Sequence, residues 1–299
     1  MIEIQGVCKA FGGQKVLDDV SFTVGEGSLC GLVGPNGEGK TTLLRLASDI
    51  LRADSGAIQF DGQSHRNNPA VRQSLFFLPD EYYRLPQASP RTMARFYAGF
   101  YPAWRQETFD RLIALFELNP RKRLMGYSKG MQRQAYIAIA LACRPRYLLM
   151  DETFDGLDPA KRNLVRRLLM EYIAETGASV LISSHNLLEL ENLCDQFVLL
   201  HRHQVAFAGD EGELHHTMTR YRLVFGRPVS REDFAGLDCR QFTQAGNVVT
   251  VTIGGDPDET QAALRAMEPT LLESFPLSLE EIFLNETEAK GDDLTGLFG

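Results

Sequence analysis

The run Gly34-Pro35-Asn36-Gly37-Glu38-Gly39-Lys40-Thr41, followed by Thr42, satisfies the spacing GxxxxGK[ST] of a phosphate-cradling loop. Its glycines let the backbone curl so that successive N–H groups face an anion. Lys40 brings charge to β- and γ-phosphate oxygens, and the Thr41 hydroxyl can ligate Mg²⁺. A second group follows the apolar run Tyr147-Leu148-Leu149-Met150, where two carboxylates, Asp151 and Glu152, stand in succession. Alternation along a strand sends neighbouring side chains to different places. Asp151 can therefore hold Mg²⁺ through its waters while Glu152 takes a proton from an attacking water. Taken alone, the pair also fits an acidic helix cap; beside a phosphate loop, it fits metal and base.

Such residues must be held by rigid elements, and the flanking pattern supplies them. Residues 28–34 form an apolar strand into the loop, 40–51 a helix out of it, and 57–62 a strand and turn. Ser89-Pro90, a good N-cap and first-turn pair, opens a helical region through 104–118 and 128–143. Apolar runs at 146–151, 179–184 and 196–201 alternate with helical segments, as a parallel sheet covered on both faces requires. The fold class is α/β. After Gly209 the pattern changes to strands at 221–225 and 247–253 and a helix from 256 to 267, a small α+β appendage whose polar end frays.

Charge divides the chain at the same place. Of the formal net charge of −8, nearly all lies in residues 215–299, with 7 basic and 14 acidic residues, whereas residues 1–214 hold 24 basic and 25 acidic. The two domains expected are thus 1–214 and 215–299. An acidic balance argues against a non-specific grip on nucleic acid, so no nucleic-acid partner is expected. The five cysteines, Cys8, Cys30, Cys143, Cys194 and Cys239, are scattered without metal-ligand spacing, which fits reduced core thiols. With no apolar run approaching ~18 residues and no signal-peptide layout, a cytoplasmic protein is expected.

Over about residues 1–214 the chain resembles the ATP-binding subunit of ABC transporters. Tyr127-Ser128-Lys129-Gly130-Met131-Gln132 stands where that family has its LSGGQ signature, with Ser128 and Gly130 matching. Gly156-Leu157-Asp158-Pro159 resembles the family's D-loop, and Asp158-Pro159 is also a helix N-cap with proline at the first position. Ser183-Ser184-His185 matches the switch histidine, and Phe11 stands where an aromatic ring lies on adenine. The resemblance implies a P-loop NTPase with a parallel-sheet core, an antiparallel β subdomain and a helical subdomain at about 82–140. It also implies ATP and Mg²⁺ as cofactors, with Glu152, His185 and Lys40 catalytic, and a dimer in which Ser128, Gly130 and Asp158 meet the ATP held by the opposite subunit. That subunit is a second copy or a paralogue, and the assembly drives a transmembrane permease from the inner face of the membrane.

Two positions depart from the family pattern. Asp80-Glu81 stands where a glutamine usually touches the metal site, so Asp80 is expected as a metal-water acceptor lacking the amide donor. Thr153 replaces the proline that commonly follows the catalytic glutamate. Aromatic residues between about Asp80 and Gly126, among them Tyr82, Tyr83, Phe96, Tyr97, Phe100, Tyr101 and Trp104, form the candidate permease surface, with core packing the alternative for many of these rings. Residues 278–284 resemble a phrase found in exporters. The alternatives are a soluble non-transport ABC ATPase and an ATP-binding regulatory module.

Overall fold

The computed structural model describes residues 1–82, 85–190, 193–210, 212, 218–277 and 281–282, in two compact units, Met1–Ala208 and Gly209–Gly299. The first unit opens with two long strands, β1 (Ile2–Phe11) and β2 (Gln14–Val24). They pair antiparallel around Gly12 and Gly13, whose φ values of 56° and 86° suit the tight hairpin turn that matches strand twist. With β4 (Ser55–Phe60) and β5 (Gln63–Ser64) they make a four-stranded antiparallel sheet ordered β2-β1-β4-β5.

The second sheet positions the chemistry. Its six strands are β3 (Leu29–Val33), β6 (Leu75–Leu78), β7 (Tyr147–Met150), β8 (Ser179–Ser184), β9 (Gln196–His201) and β10 (Gln204–Asp210), ordered β10-β9-β3-β8-β7-β6. Strands β6, β7, β8, β3 and β9 run parallel, and every residue of β3, β7 and β8 is buried, as the unbroken apolar runs require. Helix α1 (Lys40–Ala47) follows β3, and its Leu43, Leu44 and Leu46 join a core cluster with Ile2, Ile4, Leu17, Phe60 and Leu149. Burying each such side chain stabilises by about 1.5–3 kcal/mol, so the loop before α1 is anchored at both ends. The helix ends at Ala47, short of residue 51: Ser48 caps it and Asp49 turns left-handed at φ 59°.

A short helix, α2 (Pro69–Gln73), precedes β6, and α3 (Pro90–Ala98), α4 (Gln106–Leu115) and α5 (Lys129–Ala142) form the helical region. Ser89 caps α3 by accepting from the Thr92 N–H, with Pro90 at the first position. Helix α6 (Pro159–Thr176) links β7 to β8.

The second unit contains β11 (Met218–Val224), β12 (Asp238–Ala245), β13 (Val248–Gly254), α7 (Pro257–Ala266) and β14 (Leu271–Pro276). Its order, β12-β13-β11-β14 with every pairing antiparallel, is that of a split β-α-β-β-α-β unit in which a 3₁₀ turn, Arg231–Phe234, replaces the first helix. Tyr221, Leu223, Val251 and Ile253 face its core. The unit boundary at 208/209 precedes the charge boundary at 214 and falls within the last residues of β10.

Candidate functional site

The phosphate loop leaves β3 with Pro35, Asn36 and Gly37 exposed and re-enters the core at Gly39. Gly39 has φ 98°, and a Cβ there would lie 2.5 Å from the Val16 carbonyl oxygen, so only glycine fits. It is the N-cap of α1 and offers no side chain to the first-turn amides, which have no acceptor inside the helix. Lys40 is 5% exposed, and its Nζ donates to the carbonyls of Gly34 at 2.6 Å and Pro35 at 3.1 Å. Burial pushes the Lys40 pKa below its ordinary value, against the pull of Glu152 and Asp151. The Glu38 side chain turns away from the loop and accepts from the His203 N–H at 2.8 Å; what Glu38 offers an anion is backbone.

Five further groups converge on this loop. Thr41 Oγ1 donates to Asp151 Oδ1 at 3.1 Å, and Ser183 Oγ donates to the same oxygen at 2.7 Å. The Glu152 N–H donates to Ser183 Oγ at 3.1 Å, Glu152 Oε1 lies 3.7 Å from Lys40 Nζ, and Glu152 Oε2 lies 2.8 Å from His185 Nδ1. The parallel register that sets Met150 beside Ile182 brings these positions together from 33 residues apart. Glu152 holds φ 45°, a left-handed conformation that costs a non-glycine residue roughly 1–3 kcal/mol and lets successive carboxylates diverge. Burial raises the Asp151 pKa, with the charges of Glu152 and Asp80 adding to it and the bonds from Ser183 and Thr41 opposing. Ser183 is a group that the motif spacing does not announce: in sequence it is only a neighbour of the histidine, yet it bridges both carboxylate positions.

Ser128, Gly130 and Asp158 gather elsewhere, lining a separate pocket of about 260 Å³ with Phe116, Gln134, Gly156 and Lys161. Ser128 caps α5, accepting from the Met131 N–H at 3.2 Å, and Asp158 caps α6, accepting from the Lys161 N–H at 2.9 Å. A Cβ on Gly130 would stand 2.5 Å from the Gly156 carbonyl oxygen, so the two segments touch because Gly130 has no side chain. Phe11 ends β1 with 47% of its surface exposed, and Lys9 Nζ lies 5.2 Å from its ring centre. Thr42 sits half-buried in the first turn of α1, and Thr153 is buried with its hydroxyl unpartnered among the described residues.

Asp80, expected as a metal-water acceptor, has its Oδ1 2.5 Å from Arg133 Nη2 and 3.3 Å from Lys129 Nζ, so two cations of α5 pair with that oxygen. Tyr82 is likewise no free docking ring, since it stacks on Tyr136 with centres 4.2 Å apart and planes 6° apart. Tyr83 lies outside the described residues. Phe96 and Phe100 are exposed, and with Tyr97, Tyr101, Pro69 and Arg72 they line an open groove of about 720 Å³.

The ABC transporter family profile matches residues 17–155. The ABC transporter ATP-binding protein YtrB of Bacillus subtilis is 32% identical over 287 residues, covering 95% of this chain and 97% of that protein. This chain is an ABC transporter ATP-binding protein. Other relatives of this ATP-binding subunit span both directions of transport. The lipopolysaccharide export system ATP-binding protein LptB of Acidithiobacillus ferridurans is 33% identical, over 72% of this chain and 92% of that one. The Fe(3+) ions import ATP-binding protein FbpC 2 of Pectobacterium atrosepticum is 30% identical, over 72% and 64%. A solved ATP-binding subunit of an ABC transporter superposes with a TM-score of 0.66 at 27% identity, over 72% of this chain and 92% of that one. The ABC ATP-binding subunit is an ATP hydrolase with the P-loop NTPase fold, and the family works with transmembrane permeases and dimerises. No helix among the described residues is long and apolar enough to cross a membrane.

Proposed function

We propose that the chain sandwiches two ATP·Mg²⁺ with a second nucleotide-binding subunit, another copy or a paralogue, and that closure on ATP and opening after hydrolysis drive a separate permease. The observation that carries this reading is the division of the motif residues. Lys40, Thr41, Asp151, Glu152 and His185 form one bonded group, while Ser128, Gly130 and Asp158 line a different pocket. A chain so divided needs a second subunit to bring a signature segment to its phosphates. Positive charge from Lys40 and the amides opening α1 would hold the β- and γ-phosphates, and the exposed Phe11 ring would stack on adenine.

The donor set fits Mg²⁺, which takes one or two carboxylates and leaves its other positions to phosphates and water. Thr41 and Asp151 already share a hydrogen bond, and among the described residues no cluster of three His, Cys, Asp or Glu offers a protein-only cage. When bound there, the ion supplies charge neutralisation at the phosphate oxygens. Glu152 takes the proton of the attacking water, with His185 holding it in place through the 2.8 Å contact. The aromatic groove between α2 and α3 receives a cytoplasmic element of the permease, which places the subunit on the inner face of the membrane. Export is the direction we assign, on the resemblance of residues 278–284; that segment lies almost wholly outside the described residues.

The test uses Glu152→Gln. Hydrolysis falls about 10²- to 10⁴-fold with ATP affinity retained, and light scattering shows an ATP-dependent dimer. Equal turnover in the two proteins removes Glu152 as the base. Tagged chain purified from detergent-solubilised membranes carries a multi-spanning protein in stoichiometric amount; recovery with ribosomes or DNA instead leaves the ATPase and removes the transport role.

A further inference from the structure

Arg133 is fully buried, at 0% exposure, in the second turn of α5. One of its nitrogens, Nη2, is bonded, and both acceptors belong to Asp80: Oδ1 at 2.5 Å and the backbone oxygen at 3.3 Å. Nε and Nη1 have no hydrogen-bond partner among the described residues, and the guanidinium carbon stands 5.7 Å from the Tyr82 ring centre. Lys129, one helical turn earlier on the same face, reaches Asp80 Oδ1 at 3.3 Å and Asp155 Oδ2 at 3.7 Å. Asp80 leaves β6, Lys129 is the signature residue between Ser128 and Gly130, and Asp155 lies three residues beyond Glu152. One carboxylate thus ties the sheet edge to the start of α5, and Lys129 extends the tie to the loop after the base.

We propose that Asp80 is a positioning residue, an ionic clamp that fixes the Ser128–Gly130 segment relative to Glu152, and that it does not serve the metal. Swinging the carboxylate toward a metal would strip Arg133 of its counter-charge in a buried site, a state far costlier than the intact pair. The titration of Asp80 agrees: burial pushes its pKa up, but Arg133 and Lys129 outweigh burial and leave it below the ordinary carboxylate value. The inference rests on the reading of Ser128 and Gly130 as phosphate-facing and of Thr41 and Asp151 as the metal pair.

The experiment is a double-mutant cycle in the full chain with Asp80→Ala, Arg133→Met and the double variant. It measures kcat, the KM for ATP and the Mg²⁺ concentration giving half-maximal hydrolysis. Each single change is expected to lower kcat about 10- to 100-fold, the factor carried by a charge-assisted hydrogen bond, with KM and Mg²⁺ requirement unchanged. The double variant loses no more than the worse single one, because both remove the same link. A Mg²⁺ requirement raised tenfold by Asp80→Ala but not by Arg133→Met, or additive losses in the double variant, overturns the clamp. Should Asp80→Ala fail to fold, Asp80→Asn keeps an acceptor oxygen without the charge, and its Mg²⁺ requirement, unchanged or raised, decides in the same way. Lys40→Ala is the control for the underlying reading: hydrolysis surviving that change sinks the nucleotide site rather than the clamp.

Discussion

Two helices of the first unit begin where an anion could bind, and they are built differently. Helix α1 starts from Gly39, with no side chain capping it, and its first-turn amides are left open; around it stand Lys40, Thr41, Asp151, Glu152 and His185 in contact. Helix α5 starts from Ser128, whose hydroxyl already satisfies the Met131 N–H, and the lysine at its first position is paired to Asp80 and Asp155. A helix N-terminus carries only about half an elementary charge. What separates a site that grips a triphosphate from one that touches its end is therefore the charge gathered beside the helix. On the proposed reading, the α1 end holds nucleotide by itself and the α5 end is presented to nucleotide held elsewhere.

Lys40→Ala should break the α1 side most severely. It removes the buried ammonium that Lys40 places in the loop, and ATP affinity should fall about 100-fold or more by titration calorimetry. Unchanged affinity would mean that backbone amides alone suffice and that the contrast between the helices is misplaced. Gly130→Ala should act on the other side without touching nucleotide affinity. Its methyl group would have to displace the Gly156 carbonyl now 2.5 Å from the Cβ position, so α5 and the loop after Glu152 must part. Misplacement of that size lowers turnover by about 10- to 100-fold. Loss of ATP binding in this variant would show that the α5 end is part of the primary grip.

Asp158→Ala sharpens the comparison at lower amplitude. The side chain lies in the signature pocket, but its carboxylate is committed to the Lys161 N–H. Losing an N-cap costs about 1 kcal/mol, which in a protein of this size lowers Tm by about 2–4 °C. A melting temperature unmoved beside a large loss of turnover would instead assign the carboxylate to the opposite subunit's nucleotide.

The difference between the two helices also explains which parts were legible in the sequence. Strands β8 and β9 coincide with their apolar runs because both faces are covered, and α5 begins at its serine because the cap is local. Helix α1 was overextended because Ile50 and Leu51 continue the apolar composition, while the left-handed turn at Asp49 that ends the helix has no strong local signature. On the α1 side, the loop, Asp151 and Glu152 are each announced by short-range spacing. The contact of Glu152 with His185 and the bridging by Ser183 depend on strand register, which one sequence does not display. The cations on Asp80 were illegible for a like reason: which face of α5 meets the loop after β6 is decided by tertiary packing.

The far ends of the two supports should also part with pH. Helix α1 is buttressed by His65, 4% exposed, whose Nε2 lies 3.1 Å from the Leu46 carbonyl and Nδ1 3.3 Å from that of Ile58. Phe60 packs edge-on against the ring, and Asp49 Oδ1 lies 4.0 Å from Nε2. Burial pushes the imidazole pKa below its ordinary value; the two carbonyls oppose this and Arg66 adds to it. The unfolded chain then takes up the proton before the folded one, so this contribution is present above about pH 6.5 and is lost as pH falls toward the folded pKa. Asp80 is shifted in the same direction, its folded pKa lying below the ordinary carboxylate value, but its window is lower, so its contribution persists until pH drops through the acid range. Between about pH 7.5 and 5.5 only the α1 side should weaken. Wild-type Tm should fall about 1–3 °C further over this interval than that of His65→Gln, with faster amide exchange in α1 and none in α5. Equal slopes in the two proteins would move the titration to another group, and loosening of α5 first would reverse the assignment of which support is sensitive to pH.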